Sequence, residues 1–171
     1  MADIQQMFHF FLVAEEHRDF LRFLWYDNNG INNEVLEYRM RVHVLGNSPS
    51  PAVAIYGFRK PAFTGERDCG SEAKHFVERN FYVDDGLTSL PTEEEAIKLL
   101  KSTQEMLARS NLHLHKIASN KVEVMKAFPS EDLAKELKNL DLNTGLPPVQ
   151  RSLGVNWDVN EDVFIFQIAD Q

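Results

Sequence analysis

Residues 76–90 read Phe-Val-Glu-Arg-Asn-Phe-Tyr-Val-Asp-Asp-Gly-Leu-Thr-Ser-Leu. Apolar residues flank Asp84-Asp85-Gly86, and Asp-Gly is a strong hairpin signal because both residues tolerate positive φ. The pattern predicts a strand over 76–83, a turn at Asp84-Asp85-Gly86 and a short return strand over 87–90. Two aspartates side by side at a tight turn repel each other, and the repulsion raises one pKa unless a cation intervenes. A hard divalent ion with oxygen ligands, Mg²⁺ or Mn²⁺, relieves such a pair. Taken alone, the dipeptide is also what an ordinary turn with two solvated carboxylates looks like.

Working outward, residues 33–42 alternate strictly, with Leu36, Tyr38, Met40 and Val42 on one side and Glu37, Arg39 and Arg41 on the other. This is the pattern of a half-buried strand. Its expected partner is 21–26, joined through the turn residues Asp27-Asn28-Asn29-Gly30. Ser50 as N-cap and Pro51 at the first helical position predict a helix to about Lys60. Residues 47–49, 64–71 and 143–148 read as loops, the last as a hinge before a small closing sheet. Thr92 and Glu95 form a capping box for a helix over 92–110. Its inward stripe is Ala96, Leu100, Thr103 and Leu107, and Glu94–Lys98 and Glu105–Arg109 are outward i,i+4 pairs. Residues 111–117 alternate as a strand. Ser130 caps a short helix with Leu133, Leu137 and Leu140 inward, and 151–157 with 163–168 form a hairpin turned at Asn160-Glu161-Asp162. The sum is an α+β fold, an antiparallel sheet with helices packed on one face.

The 171 residues suffice for one hydrophobic core. The single Cys69 excludes an internal disulfide and makes a reducing, intracellular, cytoplasmic setting the expectation. No apolar run approaches the ~20 residues that span a bilayer, so no membrane partner is expected. Net charge is −8, which counts against a nucleic-acid binder. Residues 35–65 are nevertheless basic, with Arg39, Arg41, Arg59 and Lys60 against Glu37, while Asp158, Glu161, Asp162 and Asp170 stand unopposed in the tail. His9, His17, His43, His75, His113 and His115 show no metal spacing. Although His113 and His115 share a strand face, they lack a third ligand, and all six read as surface histidines.

Five segments then stand in a telling order: Ala2-Asp3-Ile4-Gln5-Gln6-Met7-Phe8, the glycine-containing run from Arg41 to Ala52 with Ser50-Pro51-Ala52 at its end, Phe81-Tyr82-Val83-Asp84-Asp85, Asn111-Leu112-His113-Leu114-His115-Lys116, and Leu153-Gly154-Val155-Asn156-Trp157. Together they resemble the palm region of retroelement reverse transcriptases, closest to the BEL/Pao lineage of retrotransposons. The resemblance implies a polymerase palm over 1–142 and a closing, primer-grip-like hairpin of that palm over 143–171. Fingers upstream and a thumb downstream are expected to be missing. It implies Asp3, Asp84 and Asp85 as catalytic carboxylates holding two Mg²⁺ or Mn²⁺ ions. Phe8 would lie under the incoming sugar, Gly46 would let backbone approach the nucleotide or template, and Leu153 and Gly154 would grip the primer.

The same resemblance offers Lys116 as a general acid, with Lys121 an alternative. The chain departs from many members at Leu45, where they carry Gln. Implied partners are an RNA or DNA template with primer, a deoxynucleoside triphosphate, and other segments of a parent polyprotein. A second class stays open, a non-catalytic binding or co-opted module that keeps the palm as scaffold.

Overall fold

Ala2, Asp3 and Ile4 alternate apolar, acidic, apolar, and a strand turns that alternation into two faces. The computed structural model, which describes residues 1–134, 150–152, 155–159 and 161–166, realises it as β1 (Ala2–Ile4), with Ala2 and Ile4 fully buried and Asp3 half-buried. Leu137, Leu140, the 143–148 hinge, Leu153, Gly154 and Asn160 lie outside the described residues. The chain divides into two compact units, Gln6–Gly57 and the remainder.

In the larger unit β1 lies inside a four-stranded sheet of order β4-β5-β1-β6, where β4 is Phe81–Tyr82, β5 is Asp85–Gly86 and β6 is Leu114–His115. All its pairings are antiparallel. With its helices this makes the fold α+β, as the periodicities predict. The helical side of the expectation needs three corrections. The helix opening at Ser50 does not stop at Lys60; α1 runs Ser50–Cys69, through Pro61 and the expected loop 64–71. Phe58, Ala62, Gly65 and Cys69 form a buried stripe along it, and this stripe outweighs the local Gly and charge content. Gly70, at φ 94, ends the run.

The second correction is that 76–79 are helical, because α2 (Ser71–Arg79) buries Ala73, Phe76 and Val77 at i, i+3 and i+4. The strand is only β4. Third, the hairpin turns at Val83-Asp84, so Asp85 and Gly86 already belong to the return strand and 87–90 do not. α3 (Glu93–Ala108) forms as expected, with the Thr92 hydroxyl accepting from the Glu95 N–H at 3.2 Å. Glu105 meets Arg109 at 3.0 Å, while Lys98 lies 3.7 Å from Glu72 of α2. The strand expected over 111–117 contracts to β6, a helix α4 (Val122–Lys126) follows that the sequence did not signal, and the turn at Ser130–Asp132 is 3₁₀. β7 (Gln150–Ser152), β8 (Val155–Asp158) and β9 (Val163–Ile165) form an antiparallel meander rather than one hairpin.

In the Gln6–Gly57 unit, β2 (Arg22–Tyr26) pairs with β3 (Val35–Arg39) across five residue pairs. Asn28 and Asn29 take positive φ between them, as the turn cluster predicts. The expectation of a half-buried strand is corrected, since every residue of β3 is exposed. This sheet has two strands only, so each strand has one edge without a ladder partner among the described residues. His43 is buried, with Nδ1 3.1 Å from the Ser50 hydroxyl, and is not a surface histidine. Among the described residues no helix is long and apolar enough to cross a membrane.

Packing of the β4–β5 hairpin onto the helices depends on aromatic contacts. Phe81 lies 4.8 Å from Phe58 and 5.0 Å from Phe76, ring centre to ring centre. Gly86 faces Phe81 across the ladder, and a Cβ there would sit 2.5 Å from the ring. With Phe81 wedged between two other rings, Gly86→Ala is expected to destabilise the chain by ~1–3 kcal/mol, the usual range for overpacking. Urea unfolding checks this; an unchanged midpoint would show that the ring gives way freely.

Candidate functional site

Residues directly opposite in an antiparallel ladder share a face, with Cα atoms ~4.5–5.5 Å apart. Tyr82 pairs with Asp85, Asp85 with Asp3 and Asp3 with His115, so one row of side chains crosses all four strands on the face opposite the buried Ala2, Ile4 and Leu114. Asp84 sits at the adjoining turn, its carbonyl accepting from the Ile4 N–H at 3.0 Å. Asp3 and Asp85 thus stand opposite each other on neighbouring strands although they are far apart in the chain. What brings them together is the pairing of β1 with β5.

Backbone strain borders the row on both sides. Val83 has φ 58, a region in which a β-branched residue is a genuine outlier. Lys116 has φ 48 at the end of β6. Each such residue costs on the order of 1–3 kcal/mol and persists only where surrounding structure enforces it. At Lys116 the consequence is visible. Neighbouring residues of a strand point to opposite faces, yet His115 and Lys116 both reach Asp3. His115 Nε2 lies 3.0 Å from Asp3 Oδ1, and Lys116 Nζ lies 2.7 Å from Asp3 Oδ2. An ionised carboxylate can only accept, so His115 donates through Nε2–H.

Electrostatics sort these groups. Partial burial pushes the Asp84 carboxyl above the ordinary aspartate range; its own backbone N–H pulls it back, Asp3 and Asp85 push it further up, and Lys116 draws it down. Burial likewise depresses the His115 imidazole, with Asp3 acting in the opposite sense. Below the row, β6 is pinned by a polar chain. His113 contacts Gln5 Oε1 at 2.8 Å and Asp132 Oδ1 at 2.9 Å, while Gln104 donates to Asp132 Oδ2 at 2.9 Å and to the Leu114 carbonyl at 3.2 Å.

The surface-histidine reading therefore fails for His115, whose side chain is 17% exposed and bonded to Asp3. Its alternation with His113 was the available sequence signal, whereas Gln104 and Asp132 had none. Phe8 lies in the 3₁₀ turn Met7–Phe10 of the other unit and is half-buried. Gly46, also of that unit, has φ 89 and open space where a Cβ would be, so dihedral freedom rather than crowding calls for glycine.

Among the described residues no group of three or more His, Cys, Asp or Glu side chains is arranged to hold a metal ion. The positive charge at Asp3 is the Lys116 ammonium. Three all-oxygen carboxylates, of which Asp3 already accepts a cation, are nonetheless the donor chemistry that a hard divalent ion requires. Comparison with protein-family models, with curated proteins and with solved structures returned no significant match.

Because the folded pKa of Asp84 is raised, its ionisation at neutral pH opposes folding, and that cost vanishes once pH falls below the ordinary aspartate value. Asp84→Asn is expected to raise the melting temperature at pH 7 without divalent ions by ~2–4 °C, the scale of ~1 kcal/mol in a chain of this length. Solvent screening at this half-buried group makes that an upper range. The gap should close as pH drops through the raised pKa toward the ordinary one. Calorimetry from pH 3 to 8 checks it; a pH-independent gap would contradict the electrostatic origin.

Proposed function

We propose that the chain is the palm region of a reverse transcriptase of BEL/Pao retrotransposon type, an RNA-directed DNA polymerase that transfers deoxynucleotides to a primer 3′-hydroxyl. The observation that carries the reading is Asp3 opposite Asp85 in the β1–β5 ladder, with Asp84 at the adjacent turn. Phosphoryl transfer needs charge neutralisation and in-line positioning more than covalent help from protein. Asp3 and Asp84, with Asp85 beside them, would hold two Mg²⁺ or Mn²⁺ ions. When bound, these supply the neutralising charge and lower the pKa of the attacking hydroxyl.

The remaining roles follow the resemblance. Phe8 excludes a 2′-hydroxyl beneath the sugar, Gly46 admits the nucleotide or template, Leu153 and Gly154 grip the primer, and Lys116 protonates the leaving pyrophosphate. The strained Val83 supports the same reading, since stored strain gathers at functional sites. Net charge −8 opposes a polyanionic primer–template. Primer extension by this chain in isolation is therefore expected to fall below detection.

The second reading, a non-catalytic module on the same scaffold, is favoured by one observation. Lys116 already satisfies Asp3 with a salt bridge, as a purely structural site would. Divalent-ion binding separates the two readings. By Mn²⁺ electron paramagnetic resonance, the wild-type chain is expected to bind Mn²⁺, and Asp3→Asn and Asp84→Asn to weaken binding at least tenfold. Absence of Mn²⁺ binding at millimolar concentration, or binding indifferent to both variants, would sink the polymerase reading and leave the module.

A further inference from the structure

The two partners of Asp3 differ in a way that assigns them different jobs. His115 approaches Oδ1 from β6, is 17% exposed, and sits on a strand pinned by the Gln5–His113–Asp132–Gln104 chain. Lys116 approaches Oδ2 from just beyond the strand end; its side chain is 46% exposed, on a flexible four-carbon stem. The buried partner is held and the exposed one is free to swing into water. The left-handed φ at Lys116 is what lets two consecutive side chains converge on one carboxylate.

We infer that Lys116 is a tethered resident cation, which Asp3 exchanges for a divalent ion while His115 keeps hold of the other carboxylate oxygen. This rests on the metal-dependent reading above and adds to it. Lys116 competes with the ion, so the charge on Asp3 is balanced before loading. Departure of the ammonium frees Oδ2 alone, and His115 is a positioning residue that holds the carboxylate in one orientation. A released Lys116 then stands beside the loaded site, where a polyphosphate would meet it.

The experiment uses the full chain, with Mn²⁺ as probe and two readouts. In paramagnetic resonance titrations Lys116→Met is expected to bind Mn²⁺ about three- to tenfold tighter than wild type, because the internal competitor is gone. His115→Ala is expected to bind several-fold more weakly, and His115→Gln, which restores an N–H donor at a similar reach, to recover most of the loss. Separately, acetylation of wild-type lysines by an N-hydroxysuccinimide ester, followed by mass spectrometry, reads the ammonium directly. Lys116 is expected to react more slowly than Lys121 and Lys126 without metal, and several-fold faster at saturating Mn²⁺.

If Mn²⁺ binds and Asp84→Asn abolishes binding, but Lys116→Met binds no tighter and Lys116 reactivity ignores Mn²⁺, the exchange is overturned while the metal reading stands. If Mn²⁺ binds no form, or binds Asp84→Asn equally, both are overturned. Failure of His115→Gln to recover what His115→Ala loses would overturn the positioning role.

Discussion

The antiparallel pairing of β1 on both its edges is the constraint from which the rest of the site follows. Three residues of strand set Asp3 opposite Asp85 on one side and opposite His115 on the other, while Ala2 and Ile4 enter the core. A slip of one residue would send Asp3 inward and an apolar side chain outward, because side chains alternate with a period of two. Burial of Ala2 and Ile4 therefore stabilises the register and aims the carboxylate at once. One set of apolar contacts performs the structural and the chemical task together.

The cost of the arrangement is concentrated where the carboxylates meet. Val83 and Lys116 hold disfavoured dihedrals, and Asp84 carries a raised pKa beside two other acids. Each of these lowers stability, and each is paid for by packing below the sheet: the Phe58–Phe76–Phe81 cluster under the hairpin and the buried stripes of α1 and α3. Such a division, strain on one face against close packing on the other, is expected where a site must present groups that would relax apart if left alone.

Electrostatic balance at Asp3 is achieved with groups internal to the chain. The carboxylate has a neutral imidazole donor on one oxygen and an ammonium on the other. Were the ammonium removed, three carboxylates would face one another in a partly desolvated setting, where like-charge repulsion is poorly screened. A stable fold without divalent ions and a site with the donors for them are thus compatible. The −8 net charge belongs mostly to other surfaces and bears on how a polyanion would approach.

Local patterns in the sequence were enough for the α+β class, the Thr92-capped helix and the Asp27–Gly30 turn. These depend on caps, turn residues and periodicity, which act over a few positions. Elsewhere tertiary contacts decided. Residues 64–69 and 76–79 are helical because their apolar residues find a core at helical spacing, which outweighs Gly-rich or strand-like local composition. The turn fell at Val83-Asp84 rather than at Asp84-Asp85-Gly86 because Gly86 must pass beneath the Phe81 ring and Asp85 must pair with Asp3. The role of His115, and the cation on Asp3, could not be read along the chain. They exist only because β6 pairs with β1 across more than a hundred residues, and sequence proximity carries no record of such a long-range pairing.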